Sequence, residues 1–220
     1  MKNFDLVIVD PYHYSKEQVE HIQSAGTKVI GYISTTEVGG WNSSLLAQFE
    51  EDDFIWRNGE KVTYSWDAYL MDLTSRHYQE IMKQEVDTQI HQKGFDGILL
   101  DSIGNLEQEF TDEARTNQED ALVSFINNIK KDKVLIQNGA FDVLSTKTVP
   151  YIDGVLWAFF EKNKIQRSSW SQTTVNQLIE LRSIHQISVF TISLKEEATQ
   201  QYSDDLGFTH YHDHNRFMKW

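Results

Sequence analysis

GFDGILLDS, residues 94–102, holds a turn, a strand and a carboxylate in one short stretch. Gly94 and the Asp96-Gly97 pair read as a turn feeding the apolar run Ile98-Leu99-Leu100, and the run stops on Asp101. A strand buried on both faces shows such a continuous apolar run, the signature of a parallel sheet covered by helices. A charged group at its carboxyl end is either paired or capping for stability, or exposed in a pocket for chemistry.

The same unit recurs in both directions. Strand-like runs at 5–10, 28–34, 69–73, 98–100, 134–138, 153–160, 187–194 and 208–212 alternate with helical patterns at 15–25, 43–50, 75–93, 112–130, 140–146, 172–184 and 195–204. Ser15 reads as a helix N-cap and Gly26 as the stop of the first helix. Eight strands joined by helical crossovers close most simply into a single (β/α)8 TIM-type barrel spanning residues 1–220. The competing fold is an open doubly wound sheet. It would carry a glycine-rich phosphate loop after the first strand, where Asp10-Pro11-Tyr12-His13 stands instead.

Composition narrows the function. Asp and Glu outnumber Lys and Arg 33 to 20, a formal net charge of -13, which repels nucleic acid and anionic membrane surfaces and favours a cationic or neutral ligand. With no cysteine there is no disulfide, thiolate metal site or cysteine nucleophile. No apolar stretch approaches the ~20 residues that span a bilayer. Met1–Asp5 runs straight into a strand without a secretory h-region, so the chain is either cytosolic or has lost a leader.

Active sites of (β/α)8 barrels lie at the carboxyl ends of the strands. On that rule Asp10 and Tyr12 follow the first strand, Tyr32, Ser34 and Glu37 the second, Asp72 the third, Asp101 the fourth and Asn138 the fifth, while Trp157 and Glu161 belong to the sixth. Carboxylates, an amide and aromatic rings gathered at one mouth suit a carbohydrate, which offers hydroxyls to hydrogen bonds and C–H faces to stacking. Glycoside hydrolysis normally needs two carboxyl groups flanking the scissile bond, and Asp101 is the first candidate. Its bland alternative is an ion pair at the rim or a cap for the next segment.

GYISTTE (31–37), YLMDLTSRHYQEIM (69–82), GFDGILLDS (94–102), IQNG (136–139) and DGV (153–155) together resemble, in order and spacing, the endo-α-1,4-polygalactosaminidase-like glycoside hydrolases. That group comprises family 114 and the related PelA hydrolase domain. The resemblance covers nearly the whole chain. It implies a (β/α)8 fold, action on α-1,4-linked galactosamine-rich polymers without metal or other cofactor, a partly deacetylated cationic polysaccharide as partner, a monomer, and an extracellular or cell-surface setting. It also implies a tryptophan-bearing strand upstream of DLVIVD. Asp101 falls on the group's catalytic Asp, and Tyr32, Ser34 and Glu37 fall on its Tyr-apolar-Ser-x-x-Glu segment.

Two positions depart from the group. Thr36 replaces the glycine before Glu37, and Ala158 occupies the slot of the second catalytic carboxylate in DGV-x-x-Glu. Three readings stay open: a deliberate Glu-to-Ala substitution, transfer of the role to Glu161, or loss of hydrolysis with sugar binding retained. Strand parity lets Glu161 serve only if the chain turns after Phe160.

Other signals have bland readings beside sharp ones. His210, His212 and His214 alternate on one strand face and could bind zinc with Asp213, although solvated or stacking histidines are the commoner case. Trp41, Trp56, Trp66, Trp157 and Trp170 are sugar platforms or core, with Trp157 the first choice for ligand contact. Asp5, Asp96 and Asp153 sit at strand starts as turn or cap residues, and the acidic run 50–53 reads as a solvated loop. Ser102 has no histidine at a triad spacing, so a serine hydrolase is not expected.

Overall fold

The computed structural model describes residues 4–194 and 198–213. The chain divides into two compact units, one running to Leu135 and the other starting at Ile136. In the first, β1 (Leu6–Val9), β2 (Lys28–Ser34) and β8 (Gly97–Asp101) are parallel, with α1 (Lys16–Ser24), α3 (Arg76–Val86), α4 (Asn105–Glu109) and α5 (Asp112–Ile129) in the connections. Between β2 and α3 lie the short β3 (Glu37–Gly39), α2 (Ser43–Leu46), β4 (Trp56–Arg57), β5 (Glu60–Lys61), β6 (Thr63–Tyr64) and β7 (Ala68–Leu70). The second unit carries β9 (Val134–Asn138, begun in the first), β10 (Gly154–Trp157), β11 (Ser188–Ser193) and β12 (Thr209–His212), again parallel, with α6 (Phe141–Val143), α7 (Lys162–Arg167), α8 (Ser169–His185) and α9 (Thr199–Asp205) between them.

Local chemistry accounts for the element ends. Ser15 accepts the Gln18 amide while the Gln18 side chain accepts the Ser15 amide, a reciprocal cap that starts α1. Asp96 accepts the Val29 amide and the Gln23 side chain at 2.8 and 2.9 Å, so it ties α1 to the amino ends of β2 and β8 as the turn reading requires. A Cβ on Gly31 would collide with the Ile90 methyl, so the residue lets the turn after α3 press on β2. Ile90 and Phe95 fill that gap and are fully buried with Val29, Ile30, Ile98 and Leu100. Burial of each such side chain is worth about 1.5–3 kcal/mol.

The segment at 69–73 is not a barrel strand. Ala68–Leu70 runs antiparallel between β3 and β6, pairing Glu37 with Leu70 and Tyr64 with Ala68. A parallel partner for β2 would need a crossover, usually helical, and the segment that intervenes is short antiparallel strands with two single helical turns, α2 and Glu51–Asp53. The chain therefore doubles back, and seven of the eight expected strands are parallel. The expected helix at 195–204 begins at Thr199 among the described residues. The helices α4 and α7 were not anticipated, because each has too few residues to show a periodicity.

The acidic run 50–53 is also divided. Glu50, Glu51 and Asp52 are exposed, but Asp53 is buried. Its carboxylate accepts the Ser75 hydroxyl at 2.6 Å, the Glu50 amide at 2.8 Å and the His77 ring at 2.6 Å. Burial pushes the Asp53 carboxyl up, yet these bonds together outweigh it and hold it below its usual range, and the bond to Asp53 raises His77. The raised His77 stabilises the fold below the unfolded histidine value, near pH 6.5, and loses that contribution as pH rises through its folded value. The depressed Asp53 contributes above the unfolded Asp value, near pH 3.9, and loses it as pH falls. The parent chain is thus expected to melt above His77→Gln by a margin largest between about pH 4 and 6.5, closing at alkaline pH. Thermal midpoints of the two proteins across pH 4–9 check this, and a margin independent of pH contradicts it.

Candidate active site

The strand register places the first cluster. Because Gly31 faces Ile90 and Phe95 in the helical layer, Tyr32 faces the opposite way, and Ser34 two residues on shares its face. Tyr32 pairs with Leu99 and Ser34 with Asp101, so Tyr32, Ser34 and Asp101 stand on one face at the carboxyl ends of neighbouring strands. The Tyr32 phenol is pushed well above its usual value by burial first, then by the charge of Asp101 and a hydrogen bond to it, and by Glu37. It stays a neutral phenol on the same face as the Asp101 carboxylate.

Past Asp101 the backbone bends sharply. Ser102 has φ +64°, a left-handed conformation unusual for serine that requires support from its surroundings. The Thr35 amide donates to the Asp101 carbonyl at 3.0 Å, the Thr36 hydroxyl donates to the Ser102 carbonyl at 2.6 Å, and the Ser34 and Ser102 hydroxyls meet at 3.1 Å. Asn105 completes the lock, its amide donating to Thr36 Oγ1 at 3.0 Å and Glu37 Oε1 at 2.7 Å. The other Glu37 oxygen accepts the Trp66 indole N–H at 2.8 Å. Thr36 is fully buried, and its hydroxyl bridges two loops, a task a glycine cannot perform.

Asp10 and Tyr12 form a neighbouring group. Asp10 caps its own turn through the Tyr12 amide at 3.0 Å and lies 3.6 Å from the His13 ring. Burial foremost, then the nearby Glu85, pushes the pKa of the Tyr12 phenol up. Its ring meets Trp41 edge-on at 5.6 Å. Asp72 is engaged elsewhere. One oxygen accepts the Thr74 amide and hydroxyl and the Gln118 amide at 2.8, 2.6 and 2.7 Å, which fixes the entry to α3.

In the second unit Asn138 ends β9 opposite Leu156. Trp157 is buried among Phe141, Phe160 and Trp170, with ring centroids 4.7, 5.1 and 5.8 Å away. The strand ends there, Phe159 takes φ +61°, and the chain turns into α7 with Glu161 at its start. The bend falls at Ala158–Phe159, before Phe160 and not after it as expected, and the strand does not continue regularly to Glu161. Glu161 is buried, and its Oε1 accepts the Leu194 amide at 2.8 Å. Ala158 lies at the bend.

The histidine strand is arranged otherwise than a zinc site. The His210 ring nitrogens meet Thr191 Oγ1 at 2.7 Å and Ser193 Oγ at 2.9 Å, and Ser193 Oγ also meets His212 Nδ1 at 2.7 Å. Hydroxyls occupy the positions a metal would take. Among the described residues no cluster of three or more His, Asp or Glu could hold a metal ion, and His214 lies outside the described residues.

Asn105, Thr36 and Ser102 are contributors that the strand-end rule does not single out. Their signal was the short polar spacing Asp101-Ser102 to Asn105 directly after a strand end, together with the Thr in place of Gly. Asn105→Ala should unlock the Ser102 bend and free one side of Glu37, with a loss of about 1–3 kcal/mol by denaturant unfolding. An unchanged midpoint contradicts the lock. The raised phenols should also be visible directly. At pH 11, absorbance of native protein at 295 nm should lack the contributions of Tyr12, Tyr32 and Tyr78, which appear only on unfolding.

A family model described as glycoside-hydrolase family GH114 matches residues 1–202. No curated protein matches the sequence. The glycoside hydrolase domain of PelA from Pseudomonas aeruginosa is similar in structure, with 16% identity, a TM-score of 0.74, and coverage of 96% of this chain and 87% of that one. Aspergillus fumigatus Ega3, solved in complex with galactosamine, gives 15% identity, a TM-score of 0.71, and coverage of 99% and 87%. A Thermus thermophilus α-galactosidase solved with stachyose gives 16%, 0.59, and 90% and 48%. At such identities the likeness establishes the fold, the (β/α)8 class of these hydrolases.

Proposed function

Because the chain belongs to glycoside-hydrolase family GH114, we propose that it cleaves internal bonds of an α-1,4-linked polysaccharide containing galactosamine and N-acetylgalactosamine, by a two-carboxylate mechanism without metal. The observation that carries this reading is Asp101 at the end of β8, opposite Ser34 on the neighbouring strand, with the neutral Tyr32 phenol on the same face and the Ser34–Ser102 contact behind it. A carboxylate so held keeps a fixed direction for nucleophilic attack or for stabilising an oxocarbenium-like transition state. The galactosamine in the Ega3 complex supports the substrate class.

Glu161 is the partner carboxylate in this reading. Burial and the Leu194 amide fix its orientation, as a general acid or base requires. Asp10, Tyr12, Glu37 and Asn138 position the sugar, and Asp72 and Trp157 act one step back by holding the segments that carry the others. The family match runs through both units, so residues 1–220 are taken as one catalytic domain. The protein acts as a monomer outside the cell or at its surface. No helix among the described residues is long and apolar enough to cross a membrane.

Ala158 supports a second reading, a polysaccharide-binding protein that has lost hydrolysis. Release of reducing ends from partly deacetylated polygalactosamine separates the two. Asp101→Asn and Glu161→Gln should each lower turnover by about 10²–10⁴-fold, while Ala158→Glu leaves it within a few-fold. Turnover that appears only in Ala158→Glu assigns the second carboxylate to position 158. Binding without turnover in all four proteins replaces the hydrolase by the binding protein.

A further inference from the structure

Four tryptophans among the described residues are exposed, and one of them is held as no surface indole needs to be. Trp66 is 60% exposed, yet its N–H donates to Glu37 at 2.8 Å and its ring lies flat on Tyr64, with centroids 4.7 Å apart and planes 2° from parallel. Tyr64 covers one indole face and leaves the other open. The glycines of β3 and its following turn explain the placement. A Cβ on Gly39 would collide with the Trp41 indole nitrogen, and one on Gly40 would collide with the Asp67 carboxylate. The Gly40 amide also donates to the Asp67 carbonyl at 2.7 Å. Trp41 and Trp66 leave the β3–β7 pair at the same end, Trp41 against the Gly39 backbone and Trp66 held by Glu37 and Tyr64.

We infer that Trp66 is a stacking platform for an amino-sugar ring of the polymer, with Glu37 beside it to pair with the ring's ammonium group. The inference rests on the galactosamine-polymer reading above and adds where and how a ring is recognised. An indole immobilised before the ligand arrives loses little entropy on binding. Its open face suits the axial C–H face of a pyranose, and the adjoining carboxylate selects a cationic ring over an acetylated one. Each Glu37 oxygen has one protein donor in Asn105 or Trp66 and a lone pair to spare for a third. Through Asn105 and Thr36 the same carboxylate is tied to the bend behind Asp101, so a ring seated on Trp66 is registered against that group.

Steady-state cleavage of partly deacetylated galactosamine oligomers, with tryptophan fluorescence titration, tests this. Trp66→Ala should raise KM roughly 3- to 10-fold with kcat little changed, and should abolish most of the fluorescence change on binding. Trp66→Phe keeps the stack but not the bond to Glu37, and should preserve affinity better for fully acetylated than for deacetylated oligomers. Trp56→Ala, at an exposed indole of the β4–β5 hairpin that donates to the Glu51 carbonyl, should leave both readouts as in the parent. Thermal midpoints confirm that the variants are folded. A parent that cleaves, together with a Trp66→Ala variant of unaltered KM, overturns this inference alone. A parent that neither cleaves nor binds overturns the substrate reading and this one with it.

Discussion

The register between β2 and β8 is the constraint on which the first unit depends. Ser34 opposite Asp101 and Ile30 opposite Gly97 fix which side chains share a face and at what height they end. A slip of one residue would turn Asp101 toward the helical layer and Leu100 toward the polar side. Three features hold the register: the unhindered backbone at Gly31, the double acceptance by Asp96 at the amino ends, and the Thr35 amide on the Asp101 carbonyl at the carboxyl ends. The site is a by-product of that alignment, since strands of matched length deliver their terminal polar residues side by side.

Beyond the strand ends, polar side chains take over from the backbone ladder. Ser34, Ser102, Thr36, Asn105, Glu37 and Trp66 form one run of hydrogen bonds across loops that share no regular structure. Carboxylates in such a setting are costly unless every charge meets donors. Asp101, Glu37 and Asp53 each meet that demand in a different way: a neutral phenol, an amide with an indole, and a hydroxyl with a backbone amide and an imidazole. An acidic chain can in this way hold several carboxylates close together at the strand ends without arginine partners.

The parallel strands were legible because a continuous apolar run bounded by glycine and acidic turns is what burial on both faces of a sheet demands. Lys28–Ser34 and Val134–Asn138 lie where the sequence places them, and Gly97–Asp101 extends the expected run Ile98–Leu100 by one residue at each end. Tyr69–Leu73 misled because apolar content reports burial and says nothing of direction, which the missing crossover helix decides. Asp53 was hidden in a run of acids whose other members are solvated, and burial of one residue in four leaves no periodic trace. Asp72 and Trp157 illustrate the same limit in the site. Position after a strand was readable, but the partners that engage them, Gln118 for one and Phe141 and Phe160 for the other, are set by tertiary packing that no local pattern reports.

The excursion between β2 and α3 leaves and returns at nearly one point. The Met71 amide donates to the Thr36 carbonyl at 2.9 Å, so both stems are stitched before the intervening strands begin. Glu37 and Asp53 anchor the excursion to the rest of the unit, through Asn105 and through Ser75 with His77, and away from those anchors length or composition can change while the neighbouring parallel strands stay untouched. Such a closed loop behaves as an exchangeable cassette: variation there can retune which polymer is gripped, whereas drift in the strands themselves would dismantle the scaffold.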